Sequence, residues 1–173
     1  MADKIIIFSG KQYSGKDTAA KIMLDLMPDF KRCAMGDIIK HTYAAQKGLT
    51  YEQIEQNKSF YRADLIALGN WGREQSPDYW LYKILEQNGN IIVTDVRVPH
   101  EYEIFKNAGA ITIRMEASRD VRAQRGTLIG EDDITEVGLD HIKDWDYVID
   151  NNGDYENLQT QVLKIIDKIN KKL

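Results

Sequence analysis

The chain is poor in the residues that build many kinds of site. It has one cysteine, Cys33, among 173 residues, which excludes an internal disulfide and a thiolate metal centre. Beside Ala34 and Met35, Cys33 reads as a buried, inert thiol. The histidines, His41, His100 and His141, are scattered and lack the spacings that ligate zinc. No serine or cysteine triad signature is present. No apolar run approaches the roughly 20 residues of a membrane helix. The first apolar stretch, residues 5–8, is too short for the core of a signal peptide, so the expectation is a cytoplasmic chain. Positive charge is not in excess either. The 23 Lys and Arg face 27 Asp and Glu, a net charge of −4. That balance argues against a general nucleic-acid or membrane-surface binder. There are no repeats, low-complexity tracts or linkers, and the length suits a single domain over residues 1–173.

Against these absences stands one strong motif. Residues 5–8, Ile-Ile-Ile-Phe, read as a short buried strand. They run into Gly10-Lys11-Gln12-Tyr13-Ser14-Gly15-Lys16-Asp17. This fits the phosphate-binding loop G-x-x-x-x-G-K-[ST], except that Asp17 stands where the final hydroxyl residue is usual. A helical pattern follows, with Ile22, Leu24, Leu26 and Met27 at apolar positions. Gly10 and Gly15 let the backbone turn tightly, so that the N–H groups of the loop, including that of Ser14, point inward. The helix opening at Lys16-Asp17-Thr18 adds its positive end, and Lys16 supplies a point charge to the outer phosphates of a nucleotide.

The rest of the chain alternates strands and helices. Strands are expected at residues 30–35, 90–94, 110–115 and 147–149, and with the first they make five. Helices are expected at 38–46, 51–56, 58–75, 99–107 and 155–172, and another beginning at Ser76-Pro77 and ending near Asn88. Alternation of this kind predicts an α/β fold, a parallel sheet of about five strands with helices on both faces. Ligands of such sheets lie at the carboxyl ends of the strands, where the glycine loop and Asp95 both fall.

Several side chains suit phosphoryl chemistry. Asp17 is a hard oxygen ligand for Mg²⁺, or else a helix N-terminal acid favoured by the dipole. Asp95 closes an apolar strand, as a Walker B acid does, and offers a second carboxylate for the metal. Arg97 extends from the same strand end and could grip a phosphate as a fork. Arg119, Arg122 and Arg125 recur every third residue, so one helix face carries them. They suit a mobile lid over polyphosphate, with Arg125 foremost, or a solvated face paired with Glu131, Asp132 and Asp133. Arg62 and Arg73, with Trp71 and Trp80 nearby, suit an acceptor site, though tryptophans are as often core. No convincing general base appears. An acceptor that is itself a phosphate needs none, because its oxygen is already an anion at neutral pH.

With these residues in place, nearly the whole chain resembles the small P-loop kinases of the nucleoside-monophosphate-kinase-like group. It is similar to phage-type deoxynucleoside monophosphate kinases and to animal-type phosphomevalonate kinases. The loop from Phe8 to Thr18 with Asp17, the run Arg62-Ala-Asp-Leu-Ile-Ala-Leu-Gly69 with Trp71-Gly-Arg73, and Asp78-Tyr-Trp80 match both, as does 146–153. Thr94-Asp-Val-Arg-Val-Pro-His-Glu101 looks most like the deoxynucleotide kinases. Arg122-Ala-Gln-Arg125-Gly126 and Gly138-Leu-Asp140 look more like phosphomevalonate kinase. The resemblance implies a P-loop NTPase fold with acceptor-binding helices at about 36–88 and a lid at about 118–137. It implies ATP as phosphoryl donor, bound by Gly10, Lys11, Ser14, Gly15, Lys16, Asp17 and Thr18, with Arg122 and Arg125 from the lid. Mg²⁺ would lie near Asp17 and Asp95. Lys40, Arg62, Arg73, Arg97 and Tyr13 would face the acceptor, and Lys16, Asp17, Arg97 and Arg125 would act in transfer.

Gln12, Tyr13 and Val98 stand where phosphomevalonate kinases are more basic, and Tyr13 suits packing against a base. The expectation is therefore a deoxynucleoside monophosphate kinase working as a monomer or homodimer on a small phosphorylated acceptor. Phosphomevalonate is the alternative acceptor, and a regulatory nucleotide-binding protein without acceptor activity the alternative of another class.

Overall fold

The computed structural model describes residues 2–172. Its contacts divide into two units, one of Cys33–Asn88 and the other of Asp3–Arg32 with the chain from Gly89 onward.

The second unit is built on a five-stranded sheet in the order β2-β3-β1-β4-β5. Its strands are β1 (Ile5–Ser9), β2 (Phe30–Cys33), β3 (Asn90–Val93), β4 (Ile111–Glu116) and β5 (Tyr147–Asp150). The central strand β1 pairs in parallel with β3 and with β4, and β4 pairs in parallel with β5. All five residues of β1 are buried. A strand with both faces covered cannot alternate polar and apolar residues, which is why it reads as an unbroken apolar run. Ile6 and Phe8 share one cluster with Ile113 and Met115 of β4, with Met23 of α1 (Lys16–Leu26) and with Val162 and Ile169 of α9 (Tyr155–Lys172). The expected α/β architecture is present, and its topology brings the loops after β1, β3 and β4 to one end of the sheet.

The first unit is helical: α2 (Met35–Lys47), α3 (Tyr51–Gln56), α4 (Lys58–Gln75) and α5 (Tyr79–Leu85). Gly48 ends α2 in the left-handed conformation, at φ 66°. Thr50 and Gln53 form a reciprocal capping box on α3. The expected start of α5 at Ser76-Pro77 is two residues early. Ser76 instead terminates α4, and its hydroxyl accepts from the N–H of Asp78 at 3.3 Å, so residues 76–78 are a turn. Trp80 is core, 1 % exposed, and its Nε1 donates to the carbonyl of Gly69 at 2.9 Å. Trp71 is half-exposed and packs edge-on against Tyr79.

The ring of Trp80 lies over Gly72, where a Cβ would come within 2.5 Å of Cε2. The indole is pinned by its hydrogen bond and cannot slide away. Gly72→Ala gains about 1 kcal/mol of helix propensity but overpacks the junction by roughly 1–3 kcal/mol. The expected result is net destabilisation, read as a lower denaturation midpoint with a blue-shifted tryptophan signal lost earlier than in wild type.

Among the described residues, no helix is long and apolar enough to cross a membrane.

Candidate active site

The phosphate loop wraps the start of α1. Gly15 precedes the helix at φ 97°, a conformation that an L side chain resists, and a Cβ there would meet Nδ2 of Asn151 at 2.2 Å. That asparagine, 6 % exposed, donates Nδ2–H to the carbonyl of Ser14 at 2.8 Å and so fixes the loop from below. Tyr13 takes the left-handed region as a non-glycine residue, at φ 59°. Such a conformation persists only where neighbours over-determine it. Here Arg125 donates to the Tyr13 carbonyl at 3.3 Å and to the Asn151 carbonyl at 2.8 Å, while the ring of Tyr13 covers Gly126.

A cavity of about 520 Å³ opens over this loop. Of the expected residues it gathers Tyr13, Gly15, Lys16, Asp17 and Thr18 from the loop and α1, Asp95 and Arg97 from beyond β3, and Arg125 from α7 (Arg119–Arg125). Thr94 and Arg32 also line it. Gly10 lies at the root of the loop, with φ 154°, and a Cβ there would strike the carbonyl of Met115 at 2.6 Å. Ser14 is buried, and its hydroxyl has no hydrogen-bond partner among the described residues.

One expected phosphate ligand, Arg122, is placed elsewhere. The side chain of Lys11 makes an ion pair with Asp140 at 2.7 Å, which leaves its backbone in the loop. Arg122, 5 % exposed, lies outside this cavity, with NH1 donating to the Gln12 carbonyl at 3.4 Å and NH2 3.7 Å from Glu131. Arg119 pairs with Glu131 at 2.8 Å, as the solvated-face alternative had it. In the helical unit, Lys40, Arg62 and Arg73 line a separate cavity of about 280 Å³ with Leu65 and Ile66 in its wall. Lys40 is engaged there by Glu55 and by Asp37, the latter at 3.5 Å.

The charges of the first cavity act on Lys16. Its Nζ folds back to donate to the carbonyls of Gly10 and, at 2.9 Å, Lys11. Burial lowers its pKa from 10.5 to about 8, and Arg97 pushes the same way against Glu136 and Asp17. Arginines around a buried lysine make a site for a polyanion.

Two family models match the chain, each over more than half its length. Phosphomevalonate kinase matches residues 8–110, and deoxynucleotide monophosphate kinase matches residues 63–162. The chain belongs to the P-loop, nucleoside-monophosphate-kinase-like family. The two families that match are families of P-loop kinases.

The lid segment falls within the deoxynucleotide kinase match and the phosphate loop within the phosphomevalonate kinase match, the reverse of the apportionment that short motifs suggested for the lid. A UPF0200/UPF0201 protein of Archaeoglobus fulgidus is 26 % identical over 97 % of the kinase, which spans 56 % of that relative's length. Among solved structures, dephospho-CoA kinase from Campylobacter jejuni is similar at TM-score 0.58 and 17 % identity, covering 99 % of both chains. Shikimate kinase from Aquifex aeolicus is similar at TM-score 0.54 and 16 % identity, covering 97 % of both. These structures share the fold.

Sequence reasoning missed Asn151 and Glu136 as parts of the loop's surroundings. Asn151 had a signal, since Asn151-Asn152-Gly153 after the last strand is a turn sequence. Glu136 had none beyond lying in an acidic stretch.

The depressed pKa of Lys16 gives the kinase a pH signature. At pH 8.5 the unliganded lysine is mostly neutral, and a bound polyphosphate favours the ammonium and raises the pKa. Nucleotide binding should therefore take up as much as about three-quarters of a proton at pH 8.5 and almost none at pH 6.5. Calorimetry in buffers of different ionisation enthalpy measures that uptake directly. Equal uptake at both pH values would mean that Lys16 does not meet the phosphates.

Proposed function

We propose that the kinase transfers the γ-phosphoryl group of ATP to the phosphate of a deoxynucleoside monophosphate, with Mg²⁺. The observation that carries this reading is the joining of Lys16, Asp17, Asp95, Arg97 and Arg125 around one cavity with no histidine in its lining. Cations, with both carboxylates taken up by the metal, suit an acceptor whose nucleophilic oxygen is already ionised.

Lys16 and the N–H groups at the start of α1 bind the donor phosphates, and Arg125 neutralises charge as it gathers on the group in transit. Arg97 orients the acceptor phosphate for in-line attack. The donor set fits Mg²⁺. Two carboxylates, Asp17 and Asp95, line the cavity, and among the described residues no group of three or more His, Cys, Asp or Glu could cage a metal. Magnesium ordinarily takes one or two carboxylates and completes its shell with water and substrate phosphate. Bound there, it would offset the charge of the polyphosphate.

The helical cavity favours a nucleotide. Arg62 and Arg73 stand beside Leu65 and Ile66, an apolar wall with cations at its rim, which suits a planar base joined to an anion better than a small dianion. Phosphomevalonate is the second reading, favoured by the match of its kinase model to the phosphate loop. ADP release measured against the four deoxynucleoside monophosphates, their ribose counterparts and phosphomevalonate tests both. Turnover with a deoxynucleotide is expected. Turnover with phosphomevalonate alone would replace the first reading by the second, and ATP binding without any turnover would point to a regulatory protein.

A further inference from the structure

The phosphate loop already holds an anion. Glu136 lies on α8 (Ile134–Val137), a single turn in the segment after α7, and is 6 % exposed. Its Oε2 accepts from the backbone N–H of Gln12 at 2.9 Å, a donor of the phosphate loop itself. Its Oε1 lies 3.5 Å from NH1 of Arg97. The same segment is fastened to the loop a second time. The side-chain amide of Gln12 donates to the carbonyl of Ile129 at 2.6 Å and accepts from its N–H at 3.1 Å.

A carboxylate bridging a loop N–H and an arginine makes the contacts that a phosphate oxygen would make. Its place within the loop follows from the cations. Lys16, which in such loops reaches the outer phosphates, is near enough to feel the charge of Glu136, and Gln12 and Arg97, the two groups that Glu136 bridges, line the same cavity as Lys16, with Glu136 itself just beyond that lining. The bridge therefore marks the outer end of the polyphosphate path, where a third phosphate would lie. The inner end, at Gly15 and the start of α1, is clear of it.

Resting on the nucleotide reading above, we propose that Glu136 is a specificity-determining residue, a built-in anion that competes with a third phosphate for Gln12 N–H and Arg97. A nucleoside diphosphate binds with Glu136 in place. A triphosphate must first displace the carboxylate from Gln12 N–H and Arg97, and its apparent affinity is reduced by the share of molecules in which that carboxylate has left. Displacement also frees α8, so occupancy by a triphosphate, and not by a diphosphate, unfastens this segment from the loop.

Glu136→Gln tests this, because the amide still accepts from Gln12 N–H but no longer carries the competing charge. Binding of ADP and of a non-hydrolysable β,γ-imido analogue of ATP is measured by calorimetry on wild type and variant, both with Mg²⁺. The expected result is a tightening of about tenfold for the triphosphate analogue, with ADP within about twofold. The ratio of the two affinities does not depend on the fraction of protein folded, so a loss of stability cannot imitate the effect. Equal shifts for both ligands, weaker triphosphate binding, or no shift would overturn the proposal and leave the nucleotide reading standing. Failure of both ligands to bind wild type would overturn both.

Discussion

Lys16→Met should reduce phosphoryl transfer by about a thousandfold or more without weakening the fold. The first half follows from charge. On the proposed reading Lys16 is the cation that meets the outer phosphates, and removing one preorganised donor typically costs about 10²–10³ in rate. Loss of the ground-state phosphate contact adds to this.

The second half follows from burial. A lysine with a pKa near 8 is a charge that the folded state disfavours, because the unfolded value is near 10.5. Below pH 8 the ammonium is present in both states and its burial cost is borne in full. As pH rises from 8 to 10.5, the folded chain loses the proton first, the unfolded state binds more protons, and stability rises. Methionine keeps the stem and removes the charge. The variant should melt at or above the wild-type temperature at pH 7, and the gap should close by pH 10. A coupled ADP-release assay and a thermal melt on the same preparation check both halves. Retained turnover would show that the glycine loop serves no phosphate. Lost turnover with a lowered melting temperature would show Lys16 to be structural.

Much of this arrangement was legible in the sequence, for physical reasons that differ by segment. The strand β1, the glycine loop and α1 follow from an unbroken apolar run and two glycines whose φ values, 154° and 97°, other residues rarely adopt. The boundaries of α4, α6 (Pro99–Asn107) and α9 follow from caps and helical period, signals carried by neighbours in the chain. What was not legible lies in residues 126–146, which have no period to read. Lys11 was expected in the phosphate loop, and the pairing of its side chain with Asp140 was not foreseen. Arg122 was expected in a lid and is buried against the Gln12 carbonyl and Glu131. Both cations found carboxylates contributed by distant, irregular chain, and only the folded path of that chain decides which acid meets which base. Ser76 failed for a local reason. A serine before Pro77 can cap the next helix or close the last one, and its hydroxyl was taken by Asp78 N–H.

Arg97→Ala separates the two partners that the geometry gives this side chain. Its guanidinium lines the cavity and is 43 % exposed, and it also faces Glu136 at 3.5 Å. If Arg97 orients the acceptor phosphate, its loss should lower kcat/KM for the acceptor by about 10²–10³, the cost of a removed charge-assisted fork. The KM for ATP should move little. Arg97→Lys should recover only part of the loss, since an ammonium restores charge without the bidentate geometry. If Arg97 served only to hold Glu136, its loss would instead leave the acceptor kinetics unaltered. A third reading comes from Lys16. Arg97 helps to depress that lysine, so its removal should raise the Lys16 pKa above 8 and carry the window of proton uptake to higher pH. That shift is expected whichever partner matters, and it checks that the arginine lay beside the lysine before its loss is read in the kinetics. With the shift observed, the acceptor titration decides. An unchanged acceptor KM and kcat would remove Arg97 from the acceptor site and leave Arg62 and Arg73 as the cations that hold the acceptor phosphate.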